Sequence, residues 1–131
     1  MIGLDTNVLV RYLAQDDPVQ SPRATEMIEA RLTRQSPGFV SLVAMVETAW
    51  VLRRSYRLDD AAVARLIEHL LQIDELMIES EQEVFTALVA LKEGQGSFAD
   101  ALIGALGRKA GCSHTVTFDQ GALRLPEFQP V

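Results

Sequence analysis

The chain has 131 residues, 48% of them hydrophobic and 23% charged, and a formal net charge of −6. This length suits one compact domain, and we predict a single domain over residues 1–131. The negative net charge argues against a protein that binds nucleic acid through a broad basic surface. It leaves open a protein that binds phosphates through metal ions held by its own carboxylates.

No segment approaches the ~18 consecutive apolar residues of a membrane span. The N-terminal MIGLDTNVLV has no basic region before its apolar residues, so we expect no signal peptide. Cys112 is the only cysteine, which excludes an internal disulfide and fits a reducing compartment. We therefore expect a cytoplasmic protein that does not bind membranes.

Short apolar segments alternate along the chain with longer segments of helical periodicity. The apolar segments predict four strands, at residues 1–4, 38–40, 76–78 and 115–118, and residues 128–131 could add a short edge strand. Helices are predicted between them, one of them capped by Ser41 and another running from about Phe98 to Ala110. This alternation predicts an α/β fold, a three-layer α/β/α sandwich with a mainly parallel sheet of four to five strands.

Sites in such folds form outside the carboxyl ends of the strands, and four acidic residues are expected to point there. Asp5 and Asp119 follow predicted strands, while Glu47 and Asp100 lie in early turns of predicted helices. Each acid also has a structural interpretation. Asp5 could cap a helix, Asp119 could begin a turn, and Asp100 could be favoured by the helix dipole. Glu47 could form a salt bridge with a residue remote in sequence.

Glu47 is the only charged residue in SLVAMVETAWVL, and no cation lies on its own helix face. A carboxylate buried among apolar groups costs several kcal/mol unless it has a partner. We therefore expect a buried helix that carries Glu47 to a partner. Four converging carboxylates would repel one another, so the grouping indicates a bound cation, and Mg²⁺ or Mn²⁺ prefers such oxygen ligands. Three glycines follow Asp100 at intervals of about one helical turn: Gly104, Gly107 and Gly111. This spacing favours close helix packing over a phosphate-binding loop.

Four segments in this order resemble the PIN domain, and more narrowly the VapC-type toxins of bacterial toxin–antitoxin systems. They are LDTNVLV from Leu4, SLVAMVETAWVL around Glu47, FADALIGALGRKAGC from Phe98, and TVTFD ending at Asp119. The resemblance covers nearly the whole chain, and all four acidic positions of the family's pattern are present. The shared motifs concern the metal and carry no information on which RNA is cut.

The resemblance implies a metal-dependent endoribonuclease that uses one or two Mg²⁺ or Mn²⁺ ions. Its catalytic and metal-binding residues would be Asp5, Glu47, Asp100 and Asp119. It further implies a homodimer, and a cognate antitoxin whose C-terminal segment occupies the active site. Supporting hydrogen bonds are assigned to Thr6, Asn7 and Thr117. Candidates for contacts with the RNA backbone are Arg11, Arg53, Arg54 and Arg57, each of which could equally belong to a solvated helix end.

Three other classes of protein share some of these features. A phosphatase of the haloacid dehalogenase type needs a second aspartate where this chain has Asn7. A response-regulator receiver needs an acidic pair at the first strand, which offers only Asp5, and an aspartate after the third, which is followed by Glu79 and Ser80. A catalytically silent binding module for RNA or a partner peptide stays open. His69 and His114 show no ligand spacing and are interpreted as structural residues.

Overall fold

The computed structural model describes residues 1–131. Its strands are β1 (Ile2–Gly3), β2 (Gly38–Val40), β3 (Leu76–Ile78), β4 (Thr115–Thr117) and β5 (Phe128–Pro130). Its α-helices are α1 (Thr6–Ala14), α2 (Gln20–Glu26), α3 (Leu42–Arg54), α4 (Asp60–Leu71), α5 (Glu81–Lys92) and α6 (Phe98–Lys109). A π-helical segment (Met27–Arg31) continues α2, and a 3₁₀ turn (Ala122–Arg124) precedes β5. None of the helices combines the length and apolar character needed to cross a membrane.

All strand pairs are parallel, and the predicted α/β architecture is confirmed. The strands are divided between two sheets, one of three strands in the order β1–β2–β3 and one formed by β4 and β5. In the first sheet Gly38 of β2 lies between Ile2 and Leu76, and in the second Thr115 lies opposite Phe128. Because β1, β2 and β3 run the same way, Asp5 and the start of α3 follow the same edge of the first sheet.

The core is one cluster of buried side chains drawn from both sheets and from all the helices. Helix α1 contributes Leu9 and Tyr12, and α3 contributes Met45, Ala49 and Leu52 from the face that it turns inward. This burial of one face of α3 is what fixes the direction of its other, exposed face.

Thr48 lies on the inward face of α3, with 0% of its surface exposed, and its hydroxyl has no hydrogen-bond partner. An unpaired buried hydroxyl costs about 1–3 kcal/mol. We expect Thr48→Val, which keeps the branched shape and removes the hydroxyl, to raise the free energy of unfolding by about 1 kcal/mol. Urea denaturation measures this change. A loss of stability in the valine variant would show that the hydroxyl has a partner after all.

Tyr12 links α1 to the π-helical segment and to α4. Its hydroxyl donates to Oε2 of Glu29 at 2.7 Å and lies 3.1 Å from Nε2 of His69, whose ring stacks on that of Tyr12 with centroids 5.8 Å apart. This packing fits the structural role predicted for His69. Burial, and then the hydrogen bond to Glu29, raises the pKa of Tyr12 to about 12.

This raised pKa predicts a loss of stability at alkaline pH. The folded state keeps the phenol proton that the unfolded chain loses near its ordinary pKa of 10.0. The contribution of Tyr12 to stability is therefore complete below pH 10 and lost as the pH rises towards about 12. We expect Tyr12→Phe to show a shallower alkaline decline in the free energy of unfolding than the wild type. Equal slopes in a urea series from neutral pH to about pH 12 would contradict this.

The three glycines of α6 and its end do not serve close packing between helices. A Cβ on Gly104 would come within 2.9 Å of the Phe128 ring, and one on Gly107 within 2.9 Å of Oγ1 of Thr115. Gly111, with φ of +97°, follows the C-cap residue Ala110 in the left-handed conformation that ends many helices. Gly104 and Gly107 therefore let α6 approach the second sheet, because Phe128 of β5 and Thr115 of β4 lie against them.

Candidate active site

Asp5 stands where β1 passes into α1. The N–H of Leu4 donates to the carbonyl of Phe39 at 2.9 Å. Hydrogen bonding between the first strand and β2 therefore continues to the residue just before Asp5. Asp5 is the N-cap residue of α1, and its Oδ1 accepts from the N–H of Thr6 at 2.8 Å. The second carboxylate oxygen, Oδ2, forms no hydrogen bond within the protein, and the residue is exposed. The capping role considered for Asp5 is thus present and leaves one oxygen free.

Glu47 lies on the exposed face of α3, which begins immediately after β2. Ser41 caps this helix, as predicted, by accepting from the N–H of Ala44 at 3.1 Å. Glu47 itself is exposed, and its apolar neighbours Val43 and Trp50 are 74% and 59% exposed. The expectation of a buried Glu47 is therefore wrong, because the apolar residues beside it also face solvent. Glu47 forms no salt bridge, which removes the alternative of a remote ion-pair partner.

Asp5 and Glu47 line the same cavity, which has a volume of about 290 Å³. The remaining lining residues come from α1, α3 and the segment after α3: Thr6, Asn7, Val10, Arg11, Val51 and Tyr56. Thr6 supports Asp5 through its backbone N–H, whereas the side chains of Thr6 and Asn7 form no hydrogen bonds within the protein. The cavity therefore joins two carboxylates from separate elements at one edge of the first sheet.

Asp100 and Asp119 lie outside this cavity. Asp100 is in the first turn of α6, where its N–H donates to Oγ of Ser97 and its carboxylate has no protein partner. Asp119 follows β4. Its N–H donates to Oγ1 of Thr117 at 3.0 Å, and its Oδ1 accepts from the N–H of Gly121 at 3.2 Å. Thr117 thus supports Asp119 directly, and Asp119 also has the turn geometry considered for it. No three His, Cys, Asp or Glu side chains lie close enough to hold a metal ion together.

The oxygen atoms that line the cavity meet part of what a hard divalent cation requires as ligands. Mg²⁺ is usually bound by one or two carboxylates, several waters and the phosphates of a substrate, all of which are oxygen donors. Asp5 and Glu47 supply two such carboxylates, and neither forms a salt bridge. The pair meets the minimum for Mg²⁺ or Mn²⁺, while a site built from all four acids stays a prediction.

The four candidate arginines differ in position. Arg11 lines the cavity, and its Nη1 lies 3.2 Å from Oδ1 of Asp16. Arg53 donates to the carbonyl of Leu58 and pairs with Asp60 at 3.4 Å, so it holds the connection from α3 to α4. Arg54 and Arg57 are exposed and lie outside the cavity.

Sequence reasoning missed Tyr56, whose side chain lines the cavity and bonds to both Arg11 and Asp16. Tyr56 lies far along the chain from both partners and belongs to no motif. Its only signal in the sequence is its place shortly after Arg53 and Arg54 at the end of α3, with Ser55 between.

Comparison with known proteins identifies a family that the chain matches. The PIN domain family matches residues 2–127, and the match contains the first sheet, β4, all six α-helices and the four acidic residues. No individually curated protein matches the chain. PIN domains are generally nucleases that depend on divalent metal ions, which suits a cavity bearing two free carboxylates. The extent of the match and the parallel α/β fold together show that this chain belongs to the PIN domain family.

Proposed function

We propose that this protein is a metal-dependent endoribonuclease that acts as the toxin of a VapC-type toxin–antitoxin pair. The observation that carries the proposal is that Asp5 and Glu47 line one cavity and that neither forms a salt bridge. Two carboxylates without an ion-pair partner at one edge of a parallel sheet suit a divalent ion that also contacts a phosphate. Family membership supports nuclease chemistry, and the four quoted motifs support the narrower toxin assignment.

In the proposed mechanism Asp5 and Glu47 would hold the Mg²⁺ or Mn²⁺ ion. When bound, the ion supplies positive charge to the phosphate being cleaved and lowers the pKa of an attacking water. The N–H of Thr6 fixes Oδ1 of Asp5 and leaves Oδ2 as the oxygen available for the ion. Asp100 and Asp119, the latter oriented by Thr117, are the proposed further ligands, for the same ion or a second one.

Cleavage of mixed RNA by purified, antitoxin-free protein tests the proposal. We expect cleavage with Mg²⁺ or Mn²⁺ and none with a chelator. Calorimetric titration with Mn²⁺ gives a second readout that does not depend on activity, because the ion should bind the wild type and not Glu47→Gln. Absence of both cleavage and Mn²⁺ binding would overturn the assignment.

The second candidate is a catalytically silent PIN-fold module that binds RNA or a partner peptide. The observation that favours it is that no third acidic side chain joins Asp5 and Glu47 closely enough to hold a metal ion. A protein that binds RNA in the absence of metal and never cleaves it would support this alternative over the nuclease.

The proposed partners are a second copy of the chain and a cognate antitoxin, in the cytoplasm. The exposed apolar side chains of α3, Val43 and Trp50, flank Glu47 and support a protein contact on this face. A C-terminal antitoxin segment lying there would cover one wall of the cavity and prevent RNA from entering. Analytical ultracentrifugation of the protein alone tests the homodimer, and protection of RNA by the neighbour-encoded antitoxin tests the inhibitor.

A further inference from the structure

Arg11 is a cation placed at the proposed metal cavity. It lies in the same helix as the residues that follow Asp5, it is partly buried, and it lines the cavity together with Asp5 and Glu47. Of the arginines considered for RNA contacts, it alone lines this cavity. Two carboxylates repel the phosphates of RNA, so a neighbouring guanidinium supplies the opposite charge where a phosphate would approach.

The guanidinium of Arg11 is held by a closed set of hydrogen bonds. Its Nε donates to Oε1 of Gln20 at 2.9 Å. Its Nη1 donates to Oδ1 of Asp16 at 3.2 Å and to the Tyr56 hydroxyl at 3.0 Å. The same hydroxyl donates to Oδ2 of Asp16 at 2.8 Å, which completes a triangle. The partners come from the segment after α1, from α2, and from the segment after α3, so three parts of the fold fix one side chain.

These contacts favour the ionised form of both charged groups and leave one nitrogen of Arg11 free. The hydrogen bond to Asp16 raises the pKa of Arg11, and the Tyr56 hydroxyl, followed by Arg11, lowers the pKa of Asp16. Nε and Nη1 are engaged, while Nη2 forms no hydrogen bond within the protein. An orientation already fixed in the free protein reduces the entropy lost when the free nitrogen binds an anion.

We propose that Arg11 binds a backbone phosphate of the RNA through Nη2, and that Tyr56 and Asp16 are positioning residues for its guanidinium. The inference rests on the proposed function for the identity of the substrate. A purely structural ion pair would explain the contacts between Arg11 and Asp16. It would not require Arg11 to line the same cavity as Asp5 and Glu47 with one guanidinium nitrogen free.

The salt dependence of RNA binding tests the role of Arg11. The affinity for a fluorescent single-stranded RNA is measured by anisotropy in chelator, which separates binding from cleavage. Each phosphate contact contributes about 0.7 to the slope of log affinity against log salt for a single strand. We expect Arg11→Gln to lower the magnitude of this slope by about 0.7 and to weaken binding about tenfold. The matched control is Arg34→Gln, which breaks an exposed ion pair with Asp74 away from the cavity and should leave the slope unchanged.

Tyr56→Phe tests whether Tyr56 positions the guanidinium of Arg11, without changing any charge of the site. The variant keeps every charge of the site and removes both hydrogen bonds of the hydroxyl, so the slope should stay that of the wild type. We expect the affinity to fall several-fold, and KM for cleavage to rise with little change in kcat. Circular dichroism confirms that each variant is folded. Unchanged affinity and KM in Tyr56→Phe would overturn the positioning role.

The outcomes separate this inference from the proposed function. A wild type that binds and cleaves RNA, with the same slope in Arg11→Gln, would overturn the phosphate contact alone. A wild type that binds RNA without cleaving it, with the slope reduced in Arg11→Gln, would support the contact while the nuclease assignment fails. A wild type that binds no RNA at all would overturn both.

Discussion

Glu47→Gln is expected to abolish metal-dependent cleavage of RNA without destabilising the protein. The substitution keeps the size of the side chain and removes the charge that would hold the ion. We expect the rate of cleavage to fall at least about 100-fold, as when one group that stabilises transition-state charge is removed. Because Glu47 is exposed and forms no ion pair, the free energy of unfolding in chelator should stay within about 0.5 kcal/mol of the wild type.

Two further variants sharpen this experiment. Asp5→Asn should remove activity as completely, and its stability should change little because asparagine caps helices about as well as aspartate. Glu75→Gln is the matched control: it removes an acid just before β3, at the opposite end of the strands, and should leave activity intact. Full activity in Glu47→Gln would show that this carboxylate binds no catalytic ion. A large loss of stability would instead indicate a buried ionic role that the exposed side chain does not have.

Leu9→Ala is expected to cause the largest loss of stability among the substitutions considered. Leu9 is 0% exposed and belongs to α1, the helix that begins at Asp5 and carries Arg11. Truncation of a fully buried leucine typically costs about 2–5 kcal/mol, a large share of the roughly 5–15 kcal/mol that stabilises a domain. Urea denaturation measures the loss.

Ile103→Ala is the comparison for this experiment, because that side chain is 52% exposed and lies on α6. We expect it to lose much less stability than Leu9→Ala. A loss below about 1 kcal/mol in Leu9→Ala would mean that neighbouring side chains close the cavity left by the leucine. Because Leu9 and Arg11 belong to the same helix, we also expect RNA binding to weaken in Leu9→Ala as the protein unfolds.

The prediction for Glu47 rested on a burial that the structure does not show. A lone carboxylate among apolar residues suggested burial and therefore a partner. The structure exposes both the carboxylate and its neighbours Val43 and Trp50, so no desolvation cost calls for a cation. The observation that bears on a metal at Glu47 is that this residue and Asp5 line the same cavity. The apolar neighbours now indicate a surface for protein contact rather than packing that fixes the side chain.

The alternation of strands and helices, the caps at Asp5 and Ser41, and the family motifs are local patterns. The sequence by itself therefore determined the parallel α/β fold, the order of its elements, and membership of the PIN domain family. Only the tertiary structure decided which distant side chains share a cavity. It placed Asp5 and Glu47 in the lining of one cavity, left Asp100 and Asp119 outside that lining, and fixed Arg11 by hydrogen bonds to Asp16 and Tyr56. Such contacts depend on how separate elements pack, and no periodicity along the chain records them.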